Sequence, residues 1–190
     1  VTGAKPIFVR TKSEQQYEPD FTDLLSKINK NTKGIIINSP SNPTGGVWGD
    51  EAIKRTLEIA LENDLWVFSD ECYEQLVYDM EFTSIANFSS NKDKILTFQS
   101  CSKTYAMTGW RIGYMAWYDP DNRLALVRDG VERILRSRLC ASTPAQYGYL
   151  AGLNSSHEWL SAHRKLTEKR MRYCLKRIKE IDGISCEGPS

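Results

Sequence analysis

Lys94-Ile95-Leu96-Thr97-Phe98 leads, one residue later, into Ser100-Cys101-Ser102-Lys103-Thr104-Tyr105-Ala106-Met107-Thr108-Gly109-Trp110-Arg111-Ile112-Gly113-Tyr114. The first run is apolar and β-like, and it delivers the chain into a short, glycine-punctuated loop. That loop offers hydroxyls, one lysine and one arginine. A lysine amine forms a Schiff base with an aldehyde, while hydroxyls and an arginine fork suit a phosphate. A ligand carrying both groups would satisfy the whole segment. Either cation taken alone is by default a surface residue beside a turn.

Outward from this segment, short β-branched or apolar runs alternate with amphipathic stretches, the pattern of an α/β fold with a parallel sheet covered by helices. Strands are expected at Pro6 to Arg10, Gly34 to Asn38, Leu65 to Ser69, Lys94 to Phe98 and Ile112 to Trp117. Helices are expected at Phe21 to Lys30, Asp50 to Glu62, Asp121 to Ser137, after Pro144, and at His157 to Ile181. In the second of these Asp50 is the candidate N-cap, with Ile53, Leu57, Ala60 and Leu61 on one face. Leu124, Val127, Val131 and Leu135 should point inward from the third. The last helix carries an apolar stripe through Trp159, Leu166 and Cys174 opposite a solvated face of Lys and Arg.

Ligands of open α/β sheets bind beyond the carboxyl ends of the strands, and two further expected strands end in polar residues. One opens into Asn38-Ser39-Pro40-Ser41-Asn42-Pro43-Thr44-Gly45-Gly46, which on its residues alone is a turn. The other is Leu65-Trp66-Val67-Phe68-Ser69-Asp70-Glu71-Cys72-Tyr73. A carboxylate there is a polar strand end and also imitates the metal-binding strand of ATPases.

The three segments together resemble the signatures of the class I/II aminotransferases of fold type I, which depend on pyridoxal phosphate, a ligand with both an aldehyde and a phosphate. The lysine motif of that family is Ser-x-Ser-Lys followed by Gly-x-Arg-x-Gly-Tyr, and Asn-Pro-Thr-Gly and Asp-Glu-x-Tyr come in the same order. The resemblance implies that Lys103 carries the cofactor and shuttles a proton, and that Asp70 pairs with its ring nitrogen. Asn42 and Tyr73 would donate to its phenolic oxygen, and Ser100, Ser102 and Arg111 would surround its phosphate. It also implies a cis bond at Asn42–Pro43, amino acid and 2-oxo acid substrates, and a homodimer.

The likeness runs from about Lys5 to Ile181 and suggests part of the cofactor-binding large domain over residues 1–182, with residues 183–190 beginning a truncated small domain. The chain opens at Val1 without a methionine and stops at Ser190 soon after a helix, so it is read as incomplete and as inactive in transamination on its own. Relatives have further strands before Pro6 to Arg10, one of them beside Gly34 to Asn38. The first dozen residues are therefore expected to be disordered, displaced or paired with another chain. Arg136 and Arg138 lie where some relatives read a second substrate carboxylate, and Gln146 fits the family's usual helix start.

Size, charge and cysteine usage narrow the classes. At 190 residues and 41% hydrophobic content the chain can bury a core. A formal charge of +1, from 25 basic and 24 acidic residues, gives no footprint for nucleic acid and no polybasic membrane patch. No run approaches membrane-spanning length, and the N-terminus lacks a signal-peptide pattern. Cys72, Cys101, Cys140, Cys174 and Cys186 form no Cys-x-x-Cys pair and, with two histidines, suggest no metal site. Such scattered thiols read as reduced, in a cytoplasmic protein. A P-loop hydrolase fails because Ser100 to Ser102 contribute no glycine before Lys103. A lyase or synthase of the same fold, or an aminotransferase-like regulatory domain, stays open.

Overall fold

The computed structural model describes residues 3–88, 94–137 and 140–189, and it contains two sheets. The small one pairs β1 (Thr11–Lys12) and β2 (Glu18–Pro19) antiparallel. The main one has four strands in the order β3 (Gly34–Asn38), β4 (Trp66–Asp70), β5 (Ile95–Ser100) and β6 (Gly113–Ala116). The first three are parallel and β6 is antiparallel to β5. The expected α/β class with a mostly parallel sheet is therefore the one that forms. Six α-helices accompany it among the described residues, besides three short 3-10 turns: α1 (Phe21–Lys27), α2 (Asp50–Glu62), α3 (Cys101–Thr104), α4 (Ala125–Ser137), α5 (Thr143–Leu153) and α6 (Glu158–Ile178).

The core lies on one face of the main sheet. Ile35 pairs with Val67, and Val67 with Ile95, so these side chains share a face on which Ile37 also stands. Onto it α2 lays Ile53, Leu57 and Ala60, spaced for one helical side, and they form a buried cluster with Ile37, Leu65, Val67, Ile85 and Ile95. Tyr149 of α5 reaches the same face at the far edge, 5.9 Å from the Tyr114 ring. The opposite face is more open than a helix-covered sheet requires. Phe68 and Phe98 stack there at 6.4 Å, and Ile36 is 79% exposed.

Several local expectations are corrected. Pro6 to Arg10 form no strand, because β3 is the end of the sheet and no strand among the described residues lies beside it. The segment is displaced onto α1 instead. The backbone N–H of Arg10 donates to Asp23 Oδ2 at 2.8 Å, and Lys27 Nζ donates to the Phe8 carbonyl at 2.7 Å. Asp50 is not the cap of α2. Gly49 takes that position, and its N–H donates to Glu18 Oε1 at 2.9 Å, so the cap arrives from β2. The strongly amphipathic α4 starts four residues late and buries none of its residues, although Leu124 just before it is buried. In α6 only Leu160 is buried, while Leu166 and Cys174 face outward. Periodicity marks a face able to pack, but burial needs a second surface. Helix α4 has met none, and α6 meets one only in places, where Leu160 is buried, Trp159 lies 5.8 Å from the Tyr105 ring and Arg172 bonds Asp79. Among the described residues no helix is long and apolar enough to cross a membrane.

Candidate active site

Parallel strands end at one edge of a sheet, and an antiparallel neighbour begins there. The carboxyl ends of β3, β4 and β5 and the start of β6 accordingly open together. Register puts Asn38 beside Asp70 and Asp70 beside Phe98 on one face, with Ser100 two residues beyond Phe98 on the same face. Ser100 pairs with Gly113, and the Cys101 N–H donates to the Ile112 carbonyl at 3.3 Å, which returns Arg111 to this edge. Only glycine permits that return. A Cβ on Gly113 would lie 2.3 Å from the Gln99 carbonyl oxygen.

Each sequence-predicted residue can now be placed. Asp70 ends β4, one residue later than expected, and its Oδ1 accepts the Cys72 N–H at 3.1 Å, which orients the carboxylate. Asn42 sits in a turn closed by Gly45 N–H to the Ser41 carbonyl at 2.9 Å, with Gly45 at φ +75°, a conformation open to glycine. The Asn42–Pro43 bond is cis, and so is Ser39–Pro40. Asn42 Nδ2 donates to the Tyr73 hydroxyl at 3.1 Å. The Lys103 ammonium stands 5.3 Å from the centre of the Tyr73 ring. Three segments distant in sequence thus meet through Asn42, Tyr73 and Lys103.

Ser100 caps α3, its Oγ accepting the Ser102 N–H at 3.1 Å. Cys101 anchors that short helix in a buried cluster with Ile112, Ala145 and Tyr149, so Lys103 stands on a fixed base. Arg111 has a left-handed backbone (φ 54°), and its guanidinium donates to the Thr108 carbonyl at 2.9 Å within its own loop. Backbone topology carries Arg111 to the site edge, while its side chain is exposed. Arg136 is exposed and paired with Glu132 at 2.7 Å on α4, and Arg138 lies outside the described residues. Gln146 bonds the Ala141 carbonyl at 2.7 Å, consistent with a helix-start role for α5.

Two residues were passed over in the sequence. Asn38 holds the loop of Asn42, its Nδ2 donating to the Asn42 carbonyl at 3.2 Å, while its buried Oδ1 has no partner. Glu71 is 2% exposed and accepts three hydrogen bonds. The available signal was polar chemistry directly at the end of an apolar run in both cases. Nothing in the sequence reveals that Glu71 faces inward.

The Cys72 thiol lies within reach of both Asp70 and Lys103. Burial first, then a hydrogen bond to Asp70 and its charge, push the thiol up to about 12 against an opposing influence of Lys103. At pH 8 it should carry about a thousandfold less thiolate than an ordinary cysteine. Brief alkylation followed by peptide mass mapping should label the exposed Cys140, Cys174 and Cys186 and spare Cys72 and the buried Cys101. Equal labelling of Cys72 in the folded chain would contradict this electrostatic setting.

The profile of the aminotransferase class I and II family matches residues 1–190. The chain belongs to that family. As a class I and II aminotransferase chain it is 34% identical over 193 residues to the glutamate-pyruvate aminotransferase AlaA of Escherichia coli (strain K12), covering 100% of this chain and 47% of that protein. It is likewise 34% identical over 191 residues to an aspartate aminotransferase of Bacillus subtilis (strain 168), with the same coverage on both sides. The solved structure of an alanine aminotransferase from Pyrococcus furiosus superposes with a TM-score of 0.92 at 39% identity, covering 99% of this chain and 48% of that one. The chain therefore spans about half the length of the aminotransferases it matches, and within that half the fold is the family's.

Proposed function

We propose that this aminotransferase chain binds pyridoxal phosphate at the edge formed by β3 to β6, and that the whole protein moves an amino group between an amino acid and a 2-oxo acid. The observation that carries the proposal is the meeting of Asn42, Tyr73 and Lys103 beside Asp70. The donor set fits the group. A carboxylate and the unpaired Asn38 Oδ1 offer acceptors to a protonated ring nitrogen, and Asn42 and Tyr73 offer donors to a phenolic oxygen. Ser100, Ser102 and Arg111 supply hydroxyls and a cation for a phosphate.

Bound there, the cofactor would supply an electron sink for the substrate α-carbon. The chain's own tasks follow from its geometry. Asp70, oriented by the Cys72 N–H, would be the carboxylate that pairs with the ring nitrogen. Asn42 and Tyr73 would stabilise a negative phenolic oxygen and so lower its affinity, and that of any group sharing its proton, for that proton. Lys103 would hold the cofactor aldehyde through Nζ and would serve as the group that takes and returns the proton at the substrate α-carbon. Arg111, at the same edge of the sheet, would be the cation facing the phosphate. A homodimer is the proposed assembly, by likeness to the family. The five free cysteines suit a reducing compartment such as the cytoplasm.

Titration of the folded chain with pyridoxal phosphate tests the binding claim. A visible absorption band displaced from that of free cofactor, saturating with added ligand, is expected. A folded chain that leaves the cofactor spectrum unchanged would refute it. With the full-length protein, an amino acid and 2-oxoglutarate, formation of glutamate and the matching 2-oxo acid separates transfer from elimination or from mere binding.

A further inference from the structure

We infer that Glu71 is a positioning residue of this site: its buried carboxylate ties the turn from Asp70 to Tyr73 to the segment beginning at Ser84, and so sets where Asp70 and Tyr73 stand. The inference rests on the cofactor reading for its chemical consequence, and on geometry for the tie itself. Glu71 Oε1 accepts from Ser69 Oγ at 3.0 Å, from Ser84 Oγ at 3.1 Å and from the Ile85 N–H at 3.2 Å. Ser69 and Glu71 flank Asp70, and alternation along a strand turns both to the face opposite Asp70. Their hydrogen bond therefore closes directly behind the carboxylate proposed to meet the cofactor.

The backbone of Glu71 is held as firmly. Its N–H donates to the Phe98 carbonyl at 3.0 Å, beyond the last paired residues of β4, and its carbonyl accepts the Glu74 N–H at 3.0 Å. The turn containing Cys72 and Tyr73 thus starts from a residue fixed on both sides. The anchor is itself immobile, since Ile85 is buried in the main core beside Leu57 and Val67. A carboxylate buried this deeply costs free energy unless hydrogen-bonded. Burial, the first cause, raises the Glu71 carboxyl above its usual range. A neutral glutamine, which retains the acceptor oxygen, should therefore replace it better than alanine.

Glu71→Gln, Glu71→Ala and the milder Ser84→Ala decide the matter through two readouts. Without cofactor, amide exchange of residues 72–76 should be at least ~10-fold faster in Glu71→Ala and nearly unchanged in Glu71→Gln. With pyridoxal phosphate, the pH midpoint of the Lys103-dependent absorbance should move by about one unit in Glu71→Ala and little in Glu71→Gln. Should Glu71→Ala not fold, Ser84→Ala serves in both assays with smaller shifts of the same kind. Unchanged exchange overturns the inference, and so does faster exchange with an unmoved midpoint, which would leave Glu71 as scaffold only. If the unsubstituted chain gives no Lys103-dependent band, the cofactor reading has failed, and the exchange data alone then support or overturn the tie.

Discussion

Lys103→Ala leaves the chain folded and removes its covalent attachment of pyridoxal phosphate. In the unsubstituted chain, cofactor at equal concentration followed by borohydride reduction should place the pyridoxyl mass on the peptide containing Lys103. In the variant that peptide has no amine to modify, and the visible band should vanish with it. Stability should change by no more than about 1 kcal/mol, because the contact shown by Lys103 is a cation over the Tyr73 ring, a type worth about 0.5–1 kcal/mol at partly exposed sites. Alanine also suits a helical position such as this one in α3. The combination is diagnostic, since a lost band in an unfolded protein would say nothing about the amine. A variant that keeps both the band and a specific label on another lysine would remove Lys103 from its role.

Leu57→Ala should cost about 2–5 kcal/mol of folding stability, and Leu135→Ala less than about 0.5 kcal/mol. Both are leucines on the apolar stripe of an amphipathic helix of 13 residues. Leu57 is 3% exposed, enclosed by Ile37, Val67 and Ile95, so truncation leaves a cavity. Leu135 is 51% exposed on a helix that buries none of its residues, so truncation removes little contact. Because domains are stable by only about 5–15 kcal/mol, the first change should be conspicuous in denaturant midpoints. Similar losses for both leucines would mean that α4 is packed in solution, for example against another chain, in a way this structure does not show.

The contrast between these two leucines shows why some of the molecule was legible in sequence. Asp50 to Glu62 is legible as a helix because apolar spacing and length are local properties. The polar ends of β3, β4 and β5 were likewise visible, since an apolar run ending in Asn38, Asp70 or Ser100 can be recognised without knowing the fold. The cap of α2 was misread because its true partner, Glu18, lies 31 residues away from Gly49. Glu71 was overlooked for a similar reason: a glutamate is ordinarily solvent-facing, and the three groups that make its burial tolerable include two from residues 13 and 14 positions downstream.

By itself the sequence determined the α/β class, the order along the chain of the four strands of the main sheet and the polar residues at the ends of three of them. Period-2 and period-3.6 patterns and the chemistry of short motifs depend only on neighbours in the chain. Tertiary structure alone decided that the covered face is the one carrying Ile37, Val67 and Ile95, and that Pro6 to Arg10 lie against α1. It also decided that Asn42 and Tyr73 bond beside Lys103, and that Glu71 closes behind Asp70. Burial and convergence are properties of pairs of surfaces, and a surface acquires its partner only when the strands have found their register.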